Sequence, residues 1–345
     1  LVGAEELSAA EEDLTVAVDW GSFAPKLVKR ACDGKLIVDN KFSQATGKPP
    51  VLMSGMTPTT SMLGIDLVSA CANGGYHCEF AGGGLPLPNY TYQKFEELRQ
   101  AQDPGTGITL NTLYANPYLW GFQYPIVCEL RKKGTPIESL TIGAGVPTAE
   151  KAVEICDGLL EAGIRYMAFK PGSMDAVQEV IDIAKANPKM TVMLQWTGGR
   201  GGGHHSFEDH HAPMLAKYGD IRREKNIVLV CGSGFGDAKG SMPYLTGEWS
   251  EAYGRPRMPM DCILMGSRPM VAKEAPTAQA VKDLICKTAG VQDQDWETSY
   301  EGNAGGVLTV QSGLGEPIHK IFNRGMECWR DFATKYFKID RKLRE

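Results

Sequence analysis

Four of the six histidines in this 345-residue chain lie within eight consecutive positions, directly after a glycine-rich run. The stretch reads QWTGGRGGGHHSFEDHH and extends from Gln195 to His211. Glycines lack a Cβ, so their backbone can approach a flat or charged ligand closely, and imidazole groups exchange protons near neutral pH. We therefore predict an active-site loop in which His204, directly after three glycines, is the candidate catalytic group.

Two short turns further along the chain have the composition of a phosphate-binding site. Each follows an apolar, strand-like run, and they read GSGFG and GSR. Small residues allow several backbone N–H groups to converge on one anion, and a helix N-terminus favours negative charge. One alternative is two tight turns without a ligand. Another is a dinucleotide fingerprint, which the G-x-G-x-G spacing of the first turn disfavours. The predicted phosphate ligands are Gly232, Ser233, Gly234, Gly266 and Ser267.

The elements that must position these groups form a repeating pattern. From Pro50 onward, short apolar runs alternate with stretches of helical periodicity, and each run ends in small or turn-forming residues. Strands that alternate with helices indicate a parallel sheet. Eight such units predict an α/β fold of the (β/α)8 TIM-barrel type, with the active site on the loops after the strands. The predicted strands lie near residues 51, 76–80, 107–110, 140–143, 166–169, 190–194, 227–230 and 262–265.

Polar residues end several of these strands and should therefore face the mouth of the barrel. Asn111, Lys170 and Gln195 follow the third, fifth and sixth strands. Lys170 could neutralise negative charge on a reduced cofactor ring; the alternative is a salt bridge with Glu79 at the end of the second strand. After the first strand, Gly55 allows close approach of a planar ring, and the threonines of the same turn can bond to polar ring edges or cap a helix.

The remaining histidines of the cluster raise the alternative of a metal site. The chain has no H-E-x-x-H pattern, and the cluster contains no H-x-E pattern, so we predict that no metal is bound. Instead, Ser206 followed by acidic residues is typical of a capped helix start, which makes His210 and His211 structural. The same reasoning predicts Thr148 and Ser173 as N-caps of earlier helices.

The barrel is predicted to span residues 50–273. Residues 1–49 indicate an N-terminal extension or linker with a helix candidate at 5–14, and residues 274–345 a mainly helical C-terminal appendage. Because the first residue is leucine rather than methionine, we expect either a domain excised from a larger protein or a separately encoded enzyme. The predicted helices of the appendage are 277–289 and 316–337.

Composition excludes several classes of function. The net charge of −5 gives no support for nucleic-acid binding, and no apolar run is long enough to cross a membrane. The acidic N-terminus is unlike a secretory signal. Nine scattered cysteines without a C-x-x-C pair indicate reduced thiols, as in the cytosol. We therefore predict a cytoplasmic enzyme with a small-molecule ligand.

Seven motifs occur in a characteristic order: GMTPTT, AGGG, FKPGS, LQWTGGRGGGHHSFED, GSGFG, TGEW and GEPIHKI. Together they closely resemble the enoyl reductase domain of the fungal type I fatty acid synthase β subunit, over roughly residues 15–335. More distantly, the Gly-Gly-His element is similar to that of bacterial FMN-dependent enoyl reductases and nitronate monooxygenases. The histidine beside the flavin in those enzymes corresponds to His204 here, with His205 as the neighbouring candidate.

The resemblance implies a TIM barrel that holds FMN and uses NADPH. It implies transfer of a hydride from NADPH through flavin N5 to Cβ of an enoyl thioester on acyl carrier protein, with a proton for Cα from His204 or a water that it orients. The partners would be acyl carrier protein and the other domains of a large synthase. The predicted phosphate turns would hold the FMN phosphate. The edge of the flavin ring would be contacted by Asn111, Lys170 and Gln195. The residues flanking the ring would be Gly55, Met56, Thr57, Gly198, Gly199, Gly202 and Gly203.

Three alternatives remain open. One is a nitronate monooxygenase-like flavin oxidoreductase, and another is a flavin-free phosphate-binding barrel lyase or isomerase. The third is a scaffold module, which the intact glycine loops and the titratable groups at the barrel mouth disfavour.

Overall fold

A closed barrel of eight parallel strands forms the centre of the molecule in this computed structural model, which describes residues 19–201, 203, 205–311, 316–336 and 339. The strands follow one another around the barrel in chain order, and the last pairs with the first. The predicted (β/α)8 fold is therefore confirmed. The barrel strands are β3 (Val51–Met53), β4 (His77–Ala81), β5 (Ile108–Leu113), β6 (Ile137–Gly143), β7 (Tyr166–Phe169), β8 (Thr191–Trp196), β9 (Ile227–Cys231) and β10 (Cys262–Met265).

Helices cover the outside of the barrel because the outward side chains of each strand are apolar and need a second apolar layer. Thr148 and Ser173 cap two of these helices as predicted, accepting hydrogen bonds from the backbone N–H groups of Lys151 (3.3 Å) and Ala176 (3.1 Å). The helices along the barrel are α2 (Ile65–Asn73), α3 (Pro88–Ala101), α4 (Pro117–Lys132), α5 (Ala149–Glu161), α6 (Met174–Ala186), α7 (Ala212–Arg223) and α8 (Ala238–Thr246).

Two predicted helix starts were wrong. Helical periodicity predicts a helix near residues 61–72, but α2 begins at Ile65, and the Thr60 hydroxyl accepts a bond from the Met56 N–H (2.6 Å) in the preceding turn. Ser206 is not an N-cap, since α7 begins only at Ala212. The N-cap is His211, which makes no side-chain capping bond, and the carboxylate of Asp209 accepts from the N–H of Ala212 at 2.6 Å.

The segment before the barrel closes its N-terminal end. A hairpin of β1 (Lys26–Lys29) and β2 (Leu36–Asp39) leads into a short helix, α1 (Lys41–Thr46), which Asn40 caps. Phe42 of α1 is fully buried inside the barrel against inward side chains of the strands. The sequence treated this region as peripheral, because a single apolar residue in a polar helix does not reveal that it fills a barrel. The predicted helix at residues 5–14 lies outside the described residues.

The segment after the barrel is only partly helical. Helix α9 (Gln279–Lys287) and the one-turn helix α10 (Thr298–Glu301) precede an antiparallel hairpin of β11 (Val307–Gln311) and β12 (Pro317–Ile321). The helix predicted from residue 316 was therefore wrong there, and α11 (Arg324–Lys335) begins eight residues later. The boundaries of the three predicted domains stay predictions. No described helix combines the length and apolarity needed to cross a membrane.

Phe42 offers a direct test of this closure. Replacing Phe42 with alanine removes a fully buried ring and leaves a cavity in the barrel, so the free energy of unfolding should fall by about 3–5 kcal/mol. Urea unfolding followed by circular dichroism measures the loss. Phe332→Ala, at a ring that is 52% exposed on α11, is the matched control and should cost less than about 1 kcal/mol. Equal losses in the free energy of unfolding for the two variants would contradict the proposal that Phe42 fills the N-terminal end of the barrel.

Candidate active site

Four donors from different strands converge on one carboxylate at the mouth of the barrel. Glu79, near the end of β4, is fully buried. Its Oε2 accepts from the Gly55 N–H (2.8 Å) and from Asn111 Nδ2 (2.7 Å). Its Oε1 accepts from the Thr141 hydroxyl (2.8 Å) and from Gln195 Nε2 (2.6 Å). The structure therefore brings together three residues that the sequence predicted for a cofactor site, around a glutamate considered only as a salt-bridge partner.

The electrostatics keep Glu79 ionised. Burial by itself would raise the pKa of this carboxyl, but the positive charge of Lys170, followed by the hydrogen bonds from Gln195, Gly55 and Asn111, lowers it below the usual value. Lys170 is half-buried just after β7 and acts on Glu79 through its charge, while neutral groups donate to the carboxylate oxygens. The site therefore contains a fixed anion with a cation nearby.

The ionised carboxylate also fixes the orientation of two amides. A carboxylate can only accept, so Asn111 and Gln195 must both point their NH2 groups at Glu79. Their oxygens consequently face away from it. The oxygen Oε1 of Gln195 is buried and has no hydrogen-bond partner among the described residues. A buried acceptor without a partner is costly, and Gln195 Oε1 is one of several such atoms among the described residues.

The turn after β3 lies against the turn after β10. A Cβ on Gly55 would lie 2.9 Å from Asn111 Nδ2, so only glycine fits at this point. Met56 Sδ lies 3.8 Å from the position of a Cβ on Gly266. Thr57 is exposed at the same rim. The predicted ring-flanking turn and one predicted phosphate turn are therefore neighbours in space.

The GSGFG turn supplies fewer donors than the sequence indicated. The Gly232 N–H already donates to the Trp196 carbonyl at 2.9 Å, which makes it part of the barrel. Ser233 is partly buried and Gly234 is exposed, and Gly234 has a φ of +87°, which suits glycine. Asp237 then caps α8 by accepting from the Gly240 N–H (2.8 Å). An anion here would therefore meet the amides of the turn rather than the helix terminus.

The glycine-rich loop after β8 folds back on itself. Gly198 has a φ of +51°, and the Gly199 N–H donates to the Glu208 carbonyl at 2.7 Å. A Cβ on Gly199 would lie 3.0 Å from that carbonyl oxygen, so a side chain is not accommodated. Gly203 is exposed. The predicted residues Gly202 and His204 lie outside the described residues.

His205 contacts the segment that follows the barrel. Its Nδ1 lies 2.8 Å from the Gly203 carbonyl oxygen, and its Nε2 lies 3.3 Å from the Tyr300 hydroxyl. Its ring stacks on that of His319, with centroids 4.2 Å apart and planes inclined by 26°. Sequence reasoning quoted the GEPIHKI motif but gave His319 no role, and it did not single out Tyr300. The sequence signal that could have indicated a role for His319 is that histidine is rare in this chain, with six in all.

His210 and His211 have protein partners in the core. Burial, followed by the charge of Arg200, lowers the pKa of both rings, that of His211 to about 4. His211 Nε2 lies 2.7 Å from the Tyr244 hydroxyl, and its Nδ1 lies 2.9 Å from the Tyr253 hydroxyl. Both rings are therefore neutral near pH 7, which supports the structural interpretation. No cluster of three or more potential metal ligands occurs within the part of the chain that the structure describes.

The fold is that of a TIM-barrel protein, with polar side chains gathered at the carboxyl ends of its strands. Residues 191–345 match a protein family described as fatty acid synthase subunit beta/Fas1-like, helical. The chain is 47% identical over 331 residues to the fatty acid synthase beta subunit pigK of Monascus ruber, covering 96% of this chain and 16% of that protein. It is also 47% identical over 317 residues to the fatty acid synthase subunit beta of Saccharomyces cerevisiae, covering 92% and 15%. The chain is thus homologous to one region of the fungal fatty acid synthase β subunits and spans only 15–16% of these relatives' length.

A solved structure agrees on the architecture. The enoyl reductase domain of MlnA, from the macrolactin biosynthesis cluster of Bacillus amyloliquefaciens, superposes with a TM-score of 0.56. The superposition covers 89% of this chain and 73% of that one, at 12% sequence identity. At this identity the likeness concerns the fold alone.

Glu79 should be sensitive to loss of its charge. In Glu79→Gln, an NH2 group replaces one carboxylate oxygen among four donors, so the free energy of unfolding near pH 7 should fall by about 3 kcal/mol. Because the folded pKa lies below the ordinary 4.5, the stability from this group is present above that value and is lost as the pH falls through the folded pKa. The difference in the free energy of unfolding between wild type and Glu79→Gln should therefore become smaller as the pH falls. Urea unfolding across pH measures it, with exposed Glu161→Gln as control; a gap that stays constant in acid would contradict the assignment.

The lowered pKa of His211 predicts a second pH dependence of folding stability, at higher pH than that of Glu79. The neutral ring favours the folded state, so its contribution is complete above the ordinary pKa of 6.5 and is lost as the pH falls from there through about 4. We expect His211→Gln to be less stable than wild type near neutral pH and to lose less stability on acidification to about pH 5. Urea midpoints at the two pH values test this. Equal losses of stability on acidification in wild type and in His211→Gln would show that His211 does not titrate as described.

Proposed function

We propose that this chain is an FMN- and NADPH-dependent enoyl-[acyl-carrier-protein] reductase, acting as one catalytic module of a fatty acid synthase. The single observation that carries the proposal is the amide pair of Asn111 and Gln195, oriented by Glu79 at the mouth of a barrel 47% identical to synthase β subunits. The partners proposed are enoyl-loaded acyl carrier protein and the other synthase modules, and the proposed location is the cytoplasm.

The residues at the barrel mouth fit the parts of FMN. The phosphate would be held by turn amides from Ser233 to Gly236 and around Ser267, where small residues leave space. The polar edge of the ring would meet the oxygens of Asn111 and Gln195. The buried Gln195 Oε1, which has no partner among the described residues, would there gain a donor. When bound, FMN accepts a hydride from a nicotinamide and passes it to the substrate.

Lys170 would supply positive charge at this edge. Its charge already lowers the pKa of Glu79, so the two groups together leave the buried end of the site near neutrality. The Lys170 side chain passes close to the end of β6, where its Cδ lies 3.9 Å from the position of a Cβ on Gly143. Additional negative charge on a ligand would be stabilised by this ammonium group. A fixed cation of this type stabilises developing charge without reorganising during the reaction.

His204 is the proposed proton donor to Cα of the substrate, with His205 as the second candidate. The support is the position of His204 directly after three glycines and the resemblance to flavin enzymes with a histidine beside the ring. General acid catalysis of this kind contributes about 100- to 10,000-fold to the rate.

The function itself can be tested in one series of measurements. The purified chain, incubated with FMN and passed through a desalting column, should retain the visible absorbance of a flavoprotein. Under anaerobic conditions, NADPH should bleach that absorbance, and crotonyl thioester should restore it. A colourless protein that does not take up FMN would favour the barrel lyase. A flavoprotein that is inert to the thioester but consumes O2 with a nitronate would favour the monooxygenase-like alternative.

The proton donor can be assigned by separating the two half-reactions. His204→Gln should leave the bleaching by NADPH unchanged, because hydride arrival on the cofactor needs no acid at Cα. Reoxidation by crotonyl thioester should slow by about 100-fold. Stopped-flow absorbance measures both steps, and the first step is the internal control. If His205→Gln alone produces the loss, the proton comes from His205 instead.

A further inference from the structure

The loop that carries the candidate histidines is fixed by a segment outside the barrel. The Gly199 carbonyl accepts from His319 Nε2 at 2.7 Å and from the Tyr300 hydroxyl at 3.3 Å. Together with the bond from its own N–H to Glu208, both backbone polar groups of Gly199 are therefore engaged. The Tyr300 hydroxyl also lies 3.2 Å from the position of a Cβ on Gly199, which leaves no room for a side chain.

Hydrogen-bond chemistry assigns the tautomer of His319. A carbonyl oxygen only accepts, so His319 Nε2 must carry the proton that it donates to Gly199. Its Nδ1 is then the acceptor for the Thr309 hydroxyl, 2.7 Å away on the facing strand of the hairpin. Burial lowers the pKa of His319, in agreement with a neutral ring. His319 is therefore a fixed donor rather than a group that exchanges protons near pH 7.

The same reasoning orients His205. Its Nδ1 lies 2.8 Å from the Gly203 carbonyl oxygen and so carries the proton, which leaves Nε2 as an acceptor. This nitrogen shares the single proton of the Tyr300 hydroxyl with the Gly199 carbonyl, each lying 3.3 Å from the hydroxyl oxygen. Its ring stacks on His319, and its backbone N–H donates to the Pro317 carbonyl at 3.3 Å. The hairpin and α10 thus hold His205 through a ring stack, a backbone bond and a hydroxyl.

The C-terminal segment also reaches the other side of the mouth. The Trp296 ring lies 2.9 Å from the position of a Cβ on Gly234 in the GSGFG turn. Arg200 of the glycine-rich loop lies over the same ring at 5.8 Å and forms a salt bridge with Asp293 at 2.8 Å. One stretch of chain therefore connects the loop after β8 with the turn after β9.

We infer that Tyr300 and His319 are positioning residues, which hold the glycine-rich loop and the ring of His205 in the geometry that enoyl reduction requires. The inference rests on the proposed function. Neither residue needs to touch the substrate: each acts through Gly199 and His205. A displacement of about 1 Å in a reacting group can lower a rate by about 100-fold. A small shift of the glycine-rich loop or of the His205 ring should therefore lower the rate measurably.

Tyr300→Phe removes only the hydroxyl and is the first test. We expect kcat for crotonyl thioester to fall by about tenfold with KM for NADPH unchanged, because the loop geometry changes while cofactor access does not. Tyr118→Phe, at a ring that is 59% exposed on α4, is the matched control and should retain wild-type kcat. A Tyr300→Phe enzyme with wild-type kcat and KM would overturn the inference.

His319 can be tested by conservative rescue. His319→Gln keeps an N–H donor that can reach the Gly199 carbonyl, whereas His319→Leu does not. We expect the leucine variant to lose about tenfold in kcat and the glutamine variant to recover most of it, at similar melting temperatures. If both variants lose the same activity and the same thermal stability, His319 is only a packing residue and the inference fails.

Nitrogen-15 NMR of selectively labelled histidines gives a readout that does not depend on activity. Tyr300→Phe should shift the ring-nitrogen resonances of His205, while those of His77, buried at the opposite end of the barrel, should stay in place. Unchanged His205 resonances would overturn the inference even if the enzyme were active. A wild-type protein that reduces no enoyl thioester, together with the expected His205 shift, would reject the proposed function and leave the hydrogen-bonded arrangement in place.

Discussion

The barrel mouth depends on a charge that has no access to water. An isolated carboxylate in a protein interior is strongly unfavourable unless hydrogen bonds and a nearby cation offset its desolvation. Glu79 of β4 is offset by donors that belong to β5, β6, β8 and the turn after β3, and by the charge of Lys170 after β7. The requirement to satisfy one anion therefore sets the relative positions of six strand ends. A ligand site built from those ends is consequently preorganised before any ligand arrives.

The two ends of the barrel differ in the kind of contacts that their side chains make. At the N-terminal end, Phe42 fills the interior among apolar side chains, and His77 lies 3.4 Å from Glu138, which also pairs with Lys48. These groups are fully or largely buried, and they stabilise the closure of the barrel. At the C-terminal end, polar side chains from several strands converge on Glu79, and Gln195 retains an acceptor without a partner among the described residues. The division agrees with the general rule that the C-terminal face of a TIM barrel carries function and the opposite face stability.

The sequence revealed the features that depend on periodicity. Alternation of apolar runs and helical stretches is local, so eight strands and the residues that end them, such as Asn111 and Gln195, could be predicted. The role of Glu79 could not, because its donors come together only when the barrel closes. Strand β12 was mistaken for the start of a helix, since its five residues show no clear alternation of buried and exposed side chains. Phe42 was missed for a similar reason, as its burial depends on strands far along the chain.

The histidine cluster shows how neighbours in sequence come to differ in chemistry. His211 is neutral among aromatic rings, and its nitrogens face two tyrosine hydroxyls. His205, six positions earlier, lies against residues that are separated from the loop by about a hundred positions, since Tyr300 and His319 bond to Gly199 across sequence distances of 101 and 120. Glycines at 198, 199 and 201 allow the chain to reverse between these environments at close range. The conformation of the glycine-rich loop is therefore determined jointly by the barrel, from which the loop extends, and by the C-terminal segment, which holds it through Tyr300 and His319, so neither part alone fixes the loop.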